Sequence, residues 1–180
     1  MAESFVNSVT RAAGIVTTNT AGAIGVTTNL ITGISTVSVT VGDLIQNTNY
    51  IAGTKVASVE STSSVTADRD STNTVAATSQ NVKFLGLTSC YTSASGTKSI
   101  LIGGTFANNT NSQVEVTVHV YDNSATKIGA LASRVPIPNG SSFVISDAGK
   151  TVLEGLDAIR VYCDTANALD VNLGILKGVS

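Results

Sequence analysis

Apolar and polar residues alternate by twos along much of this chain. In VEVTVHVY, Val114, Val116, Val118 and Val120 fall on one side, and Glu115, Thr117, His119 and Tyr121 on the other. AIRVYCD repeats the pattern, with Ile159, Val161 and Cys163 opposed to Arg160, Tyr162 and Asp164. A period of two predicts strands with one face buried. Further strands are predicted over Val82–Tyr91, Ser99–Phe106, Gln113–Tyr121, Ala130–Pro136, Ser142–Ser146, Thr151–Leu153, Ala158–Asp164 and Leu169–Leu176. Turn signals at Ser95-Gly96, Asn108-Asn109, Asn139-Gly140 and Ala148-Gly149 separate them at intervals suited to an antiparallel sandwich. Both prolines, Pro136 and Pro138, sit where a strand can end without losing a central ladder donor. Residues 81–180 therefore read as an antiparallel β-sandwich, of jelly-roll or immunoglobulin type.

The first 80 residues are less regular. Strands are predicted at Leu30–Ile34, Val37–Val41, Lys55–Val59 and Ser64–Ala67, with turns at Gly42-Asp43 and Gly53-Thr54. TTN recurs ten residues on in GIVTTN and GVTTN, a small internal echo. The polar stretch Ser61–Gln80 reads as a hairpin followed by a linker, or as a surface loop. In residues 1–13, Phe5, Val6, Val9, Ala12 and Ala13 have helical spacing, whereas the Val, Thr and Asn content disfavours an isolated helix. That segment predicts either a short helix or an extended arm that orders against a partner. The fold class expected is all-β, with residues 1–80 as an arm plus a small β module and residues 81–180 as the sandwich.

Composition sharpens this picture. Charged residues make up only 12% of the chain, and Ser, Thr, Asn and Gly take their place. The net charge of −2 and the scattered Lys and Arg provide no electrostatic footprint for nucleic acid. No apolar run has the length of a membrane-spanning helix, and MAESFVNSVTR lacks the order of a secretory signal. Synthesis in a cytoplasm is the corresponding expectation. Cys90 and Cys163 both lie in strand-like runs, as buried thiols or as a bridge between distant strands.

Candidate chemistry is sparse. His119 is the lone histidine and sits mid-strand, where a nucleophile and an orienting carboxylate would have to be brought to it. Asp68, Asp70 and Asn73 offer oxygen ligands that calcium could accept, but without the glycine and distal Glu of an EF-hand loop. Asp157, Asp164 and Asp170 read as strand-end and turn residues. No glycine cluster precedes the GK[ST] of a phosphate loop. Tyr50, Tyr91, Tyr121 and Tyr162 are the only tyrosines and offer few flat platforms for a glycan. The expectation is no catalytic, cofactor-binding or metal-binding residue.

Residues 41–59, VGDLIQNTNYIAGTKVASV, carry a resemblance. With the flanking strands they resemble a module common in structural proteins of tailed bacteriophages, through Val41, Gly42, Asp43, Leu44 and Ile45, then Ile51, Ala52, Gly53, Thr54 and Val56, then Val65 and Thr66. The module's usual Pro before the second Gly is absent here, and Tyr50-Ile51-Ala52 stands in its place. Lys98–Gly103, Asn108–Thr110, Val114–Val120, Pro138–Ile145, Lys150–Glu154, Asp157–Val161 and Leu169–Leu176 in turn resemble, in order, a phage virion β-sandwich. The resemblance implies a non-enzymatic virion component and a homo-oligomer, with other virion proteins as partners. Those would be the major capsid protein for a capsid decoration or cement protein, anchored through its N-terminal half, or neck and tail proteins for a collar or tail accessory. A receptor- or glycan-binding module, using loops Thr92–Thr97 or Asn108–Ser112, is the alternative from a different class.

Overall fold

The computed structural model describes residues 3–179, and the backbone alone for residues 146–149. Among the described residues there are fourteen strands and no helix. In chain order these are β1 (Ser4–Ala13), β2 (Ile15–Ile24), β3 (Leu30–Thr32), β4 (Leu44–Gln46), β5 (Val56–Ser61), β6 (Ser64–Ala67) and β7 (Ala77–Gly86). They continue with β8 (Thr88–Thr92), β9 (Lys98–Asn108), β10 (Val114–Asp122), β11 (Lys127–Ile137), β12 (Ser142–Leu153), β13 (Ala158–Cys163) and β14 (Leu169–Val179). The chain divides into two compact units. One comprises Ile15–Leu87; the other joins the segment ending at Gly14 to everything from Thr88 onward.

The larger unit is a sandwich of two antiparallel sheets, ordered β1-β14-β9-β12 and β11-β10-β13-β8. Counted within this unit alone, the strands run 1-8-3-6 and 5-4-7-2. That is the interlocked pair of Greek keys of a jelly roll, so of the two sandwich types the sequence allowed, the strand order selects this one. The alternating sequences do what their period implies. Val114, Val116 and Val118 of β10 and Ile159, Val161 and Cys163 of β13 turn inward. They pack in one core with Leu101 and Phe106 of β9 and Leu169, Val171, Leu173 and Ile175 of β14.

The first strand corrects the expected helix or free arm. β1 pairs with β14 from Ser4↔Lys177 to Ala13↔Leu169, as an edge of the sandwich rather than part of the N-terminal module. Its side chains follow the two-residue period, with Val6, Ser8 and Thr10 half-buried and Phe5, Asn7 and Val9 exposed. The division between units falls at Leu87/Thr88 rather than at residue 80, because β7 carries Val82 and Phe84 into the other core. The single run predicted over Val82–Tyr91 is therefore two strands in different units. Conversely, Ser142–Ser146 and Thr151–Leu153 are one strand, β12, with an irregular register between Ser146 and Thr151.

The smaller unit is a six-stranded antiparallel sheet, β4-β7-β2-β3-β6-β5, whose end strands meet. Leu44 bridges Lys55, the Ile45 amide donates to the Thr54 carbonyl (2.8 Å), and Gly42 and Val56 exchange N–H···O bonds with Val56 and Asp43 (2.9 Å each). The sheet thus closes into a small barrel, which removes its exposed edges. Ile24, Ile31, Ile45, Val56, Val65, Val82 and Phe84 fill it. VGDLI and GTKV are the two lips of that closure. The strand predicted over Val37–Val41 does not form. Ser38 and Gly42 take positive φ, Val37 and Val41 are 75% and 65% exposed, and Val39 alone reaches the core. Local turn bonds outcompete the alternation: the Asp43 carboxylate accepts from the Thr40 amide (2.9 Å) and hydroxyl (2.8 Å).

Candidate functional site

The residues with reactive groups make defined contacts within the fold. His119, buried on the outer side of β10, packs edge-on against Tyr162 at 5.2 Å. Next to it the Arg160 guanidinium lies 3.7 Å above the Tyr121 ring, a cation–π contact. Arg134 forks onto Glu115, with Nε donating to Oε2 (2.9 Å) and Nη2 to Oε1 (3.3 Å). Its backbone N–H donates to Thr117 Oγ1 at 3.0 Å, where the β11 chain takes a positive φ. These contacts tie down the outer side of the β11-β10-β13-β8 sheet with its own side chains.

The carboxylates cap loops. Asp157 is buried and accepts from the amides of Asn123 (2.8 Å) and Glu154 (2.9 Å). Asp164 accepts from the Glu115 amide (2.9 Å) and the Thr165 hydroxyl (3.1 Å). Asp170 accepts from the Ala12 amide (3.0 Å), and that bond, with help from Asn109 and Arg11, holds its carboxyl below the usual range. Asp68 accepts from the Lys55 amide (2.9 Å) at the barrel closure. Among the described residues, no group of three or more His, Cys, Asp or Glu is placed to hold a metal ion.

Cysteines and tyrosines are packed. Cys90 and Cys163 are buried and not joined by a disulfide, and burial pushes Cys90 up to about 11. Tyr50 lies in the barrel core, donates to the Thr28 carbonyl (3.2 Å) and is pushed up to about 12, by burial first and Asp70 second. The Tyr91 hydroxyl bonds Ser99 Oγ at 2.8 Å inside the sandwich. The two loops proposed for glycan contact turn polar groups on themselves. Asn108 Nδ2 donates to the carbonyls of Ser112, Ile137 and Pro138, and Ser93 Oγ to that of Thr97.

What remains is a surface. The outer face of the β1-β14-β9-β12 sheet carries Phe5 (76% exposed), Val9 (63%), Val144 (54%) and Val152 (53%), with Ile102 also exposed. The registers align these residues into rows across all four strands. One row is Phe5, Leu176, Ile100 and Val152; another is Val9, Asn172, Thr105 and Val144. Between them lie Gly174 and Gly103, paired on the two central strands. Ion pairs stand at the two ends of the face, Arg11 with Asp170 (3.8 Å) and Lys98 with Glu154 (3.4 Å). Period-two reasoning looked for one buried face and missed this one. The signal was present in SILIG, FVI and TVL, where both parities are apolar, as in strands covered on both sides.

No family model, no curated protein and no solved structure matches this chain.

Proposed function

We propose that this chain is a non-enzymatic structural component of a phage particle, a decoration protein on the capsid surface. The observation that carries the reading is the outer face of the β1-β14-β9-β12 sheet, which presents one apolar row and a second row with valines at both ends, on either side of the paired Gly174 and Gly103. Exposed apolar patches on this scale mark interaction surfaces. A surface built from Val, Ile, Thr and Asn docks without stripping water from many ions, which suits a part repeated over a shell. The resemblance through VGDLI and GTKV supports the same class, and these residues close the barrel. A jelly roll alone decides nothing, since many functions use it.

The test is co-sedimentation of the purified full chain with empty capsids, isolated necks and isolated tails of the phage that encodes it. Saturable binding to the shell at a fixed number of copies is the expected result. Binding to necks or tails alone would reassign the chain to an accessory of those parts. A chain that ignored all three and bound host envelope would overturn the proposal.

A further inference from the structure

We propose that the outer face of the β1-β14-β9-β12 sheet pairs with the same face of a second copy of this chain, making a sheet-on-sheet homodimer. The inference rests on reading that face as a contact surface and names its occupant.

Three observations converge. The first is area. Four strands about 4.8 Å apart and ten residues long, at about 3.3 Å per residue, present roughly 600 Å² of flat face. Side-chain relief brings that near the ~800 Å² per partner of a stable interface. The second is symmetry. Place a twofold axis between two such faces, along the strands and over the line between β14 and β9. β1 of one copy then lies over β12 of the other, and β14 over β9. Each row maps onto itself: Phe5 meets Val152, Leu176 meets Ile100, and Val9 meets Val144. An isologous interface demands this self-complementarity.

The third is glycine. Gly174 does not occupy the left-handed region, and a Cβ there would meet nothing nearer than the Gly103 carbonyl oxygen at 3.8 Å. Neither backbone conformation nor packing within the chain requires glycine at 174. Glycine in a strand marks a bulge or a close approach by another backbone or ligand. The register does shift between Gly174 and Ile175, and the glycine pair also leaves the face open for a second backbone. On the proposed axis, Gly174 of each copy faces Gly103 of the other, so the two sheets come together where no side chain holds them apart.

Two measurements test this on the full chain. Sedimentation velocity of the wild type over a wide concentration range should show a monomer–dimer equilibrium. Val9→Asp and Gly174→Leu should both shift it to monomer, with the thermal unfolding of the monomer retained, and Val37→Asp on the barrel unit should not. A wild type that stays monomeric at millimolar concentration, or closes into a trimer, overturns the inference. The second measurement keeps the test sound if a variant folds poorly. Val9→Cys and Val144→Cys proteins, mixed and treated with a short bis-maleimide, should give a covalent dimer that neither gives alone. Wild type, with its buried thiols, should give none. A dimer lacking that mixed product would also overturn the proposal. A monomer whose capsid binding is abolished by Val144→Asp would overturn the pairing while leaving the virion function standing.

Discussion

Replacing Asp43 by Ala tests whether VGDLI closes the barrel. Asp43 is buried, and its carboxylate accepts from the Thr40 amide at 2.9 Å and the Thr40 hydroxyl at 2.8 Å. Its own backbone takes part in the closure, donating to the Thr40 carbonyl (3.2 Å) and accepting from the Val56 amide (2.9 Å). Hydrogen bonds to a charged group contribute about 1.5–3 kcal/mol each. Thr40 is exposed, so water re-solvates part of what is lost. Two such bonds would total about 3–6 kcal/mol, and discounting about a third for that exposure leaves about 2–4 kcal/mol for the closure. At about 1.4 kcal/mol per decade, the opening equilibrium rises roughly 30- to 700-fold. Amide hydrogen exchange reads this directly. The amides of Gly42, Ile45 and Val56, whose bonds link the two ends of the sheet, should lose protection by that factor, while Val118 and Val161 in the sandwich keep theirs. Asp43→Asn, which retains one acceptor oxygen, should fall between. Exchange at Ile45 and Val56 within a factor of two of wild type in the Ala variant would refute the assignment of closure to this turn.

Excising Ile15–Leu87 and joining Gly14 to Thr88 through a few glycines should leave a folded sandwich, because the Gly14 amide already donates to Thr88 Oγ1 at 3.3 Å; loss of cooperative unfolding would contradict it. Gly14→Ala should destabilise the sandwich by about 2 kcal/mol or more on chemical denaturation, since the residue has φ near 120° and a Cβ would sit 2.4 Å from the Thr165 carbonyl oxygen. Tyr50, with its ordinary value of 10.0 raised to about 12, ionises first in the unfolded chain. Its contribution is therefore intact below pH 10 and lost as pH climbs through 12, so barrel stability should fall across that window, and Tyr50→Phe should flatten the fall. Native protein at pH 8 should give almost no reaction with a thiol reagent, and both cysteines should react once unfolded; a fast native thiol would contradict the burial of Cys90 and Cys163.

The sandwich strands were legible where one face is buried and the partner strand is supplied by the same kind of sequence. VEVTVHVY and AIRVYCD pair with each other through Val118↔Val161, and their alternation maps onto the core residue by residue. STVSVTV has the same alternation and forms no strand, because a period says nothing about whether a partner edge is present. The first strand was illegible for the converse reason. FVNSVTRAA fits a period of 3.6 and a period of two equally well, and its partner lies at the far end of the chain, as in Phe5↔Leu176. The division between units was hidden because VKFLGLTSCY reads as one strand-like run with no Pro or Asn-Gly turn inside it, although its two halves belong to different cores.

The surface argument needs a level of information above periodicity. Apolar residues at both parities in SILIG, FVI and TVL announce strands covered on two faces, yet nothing local tells which strands sit side by side. Register supplies that. Once Gly174 stands beside Gly103, the exposed valines of β1 and β12 fall into rows on either side, and residues from opposite ends of the chain become parts of one pattern. Selection for the core alone would place polar residues at Phe5, Val9, Val144 and Val152, because an outward side chain adds nothing to the interior and an apolar one invites aggregation. Their arrangement in rows that superpose under a twofold axis separates an aggregation hazard from a contact that closes on itself.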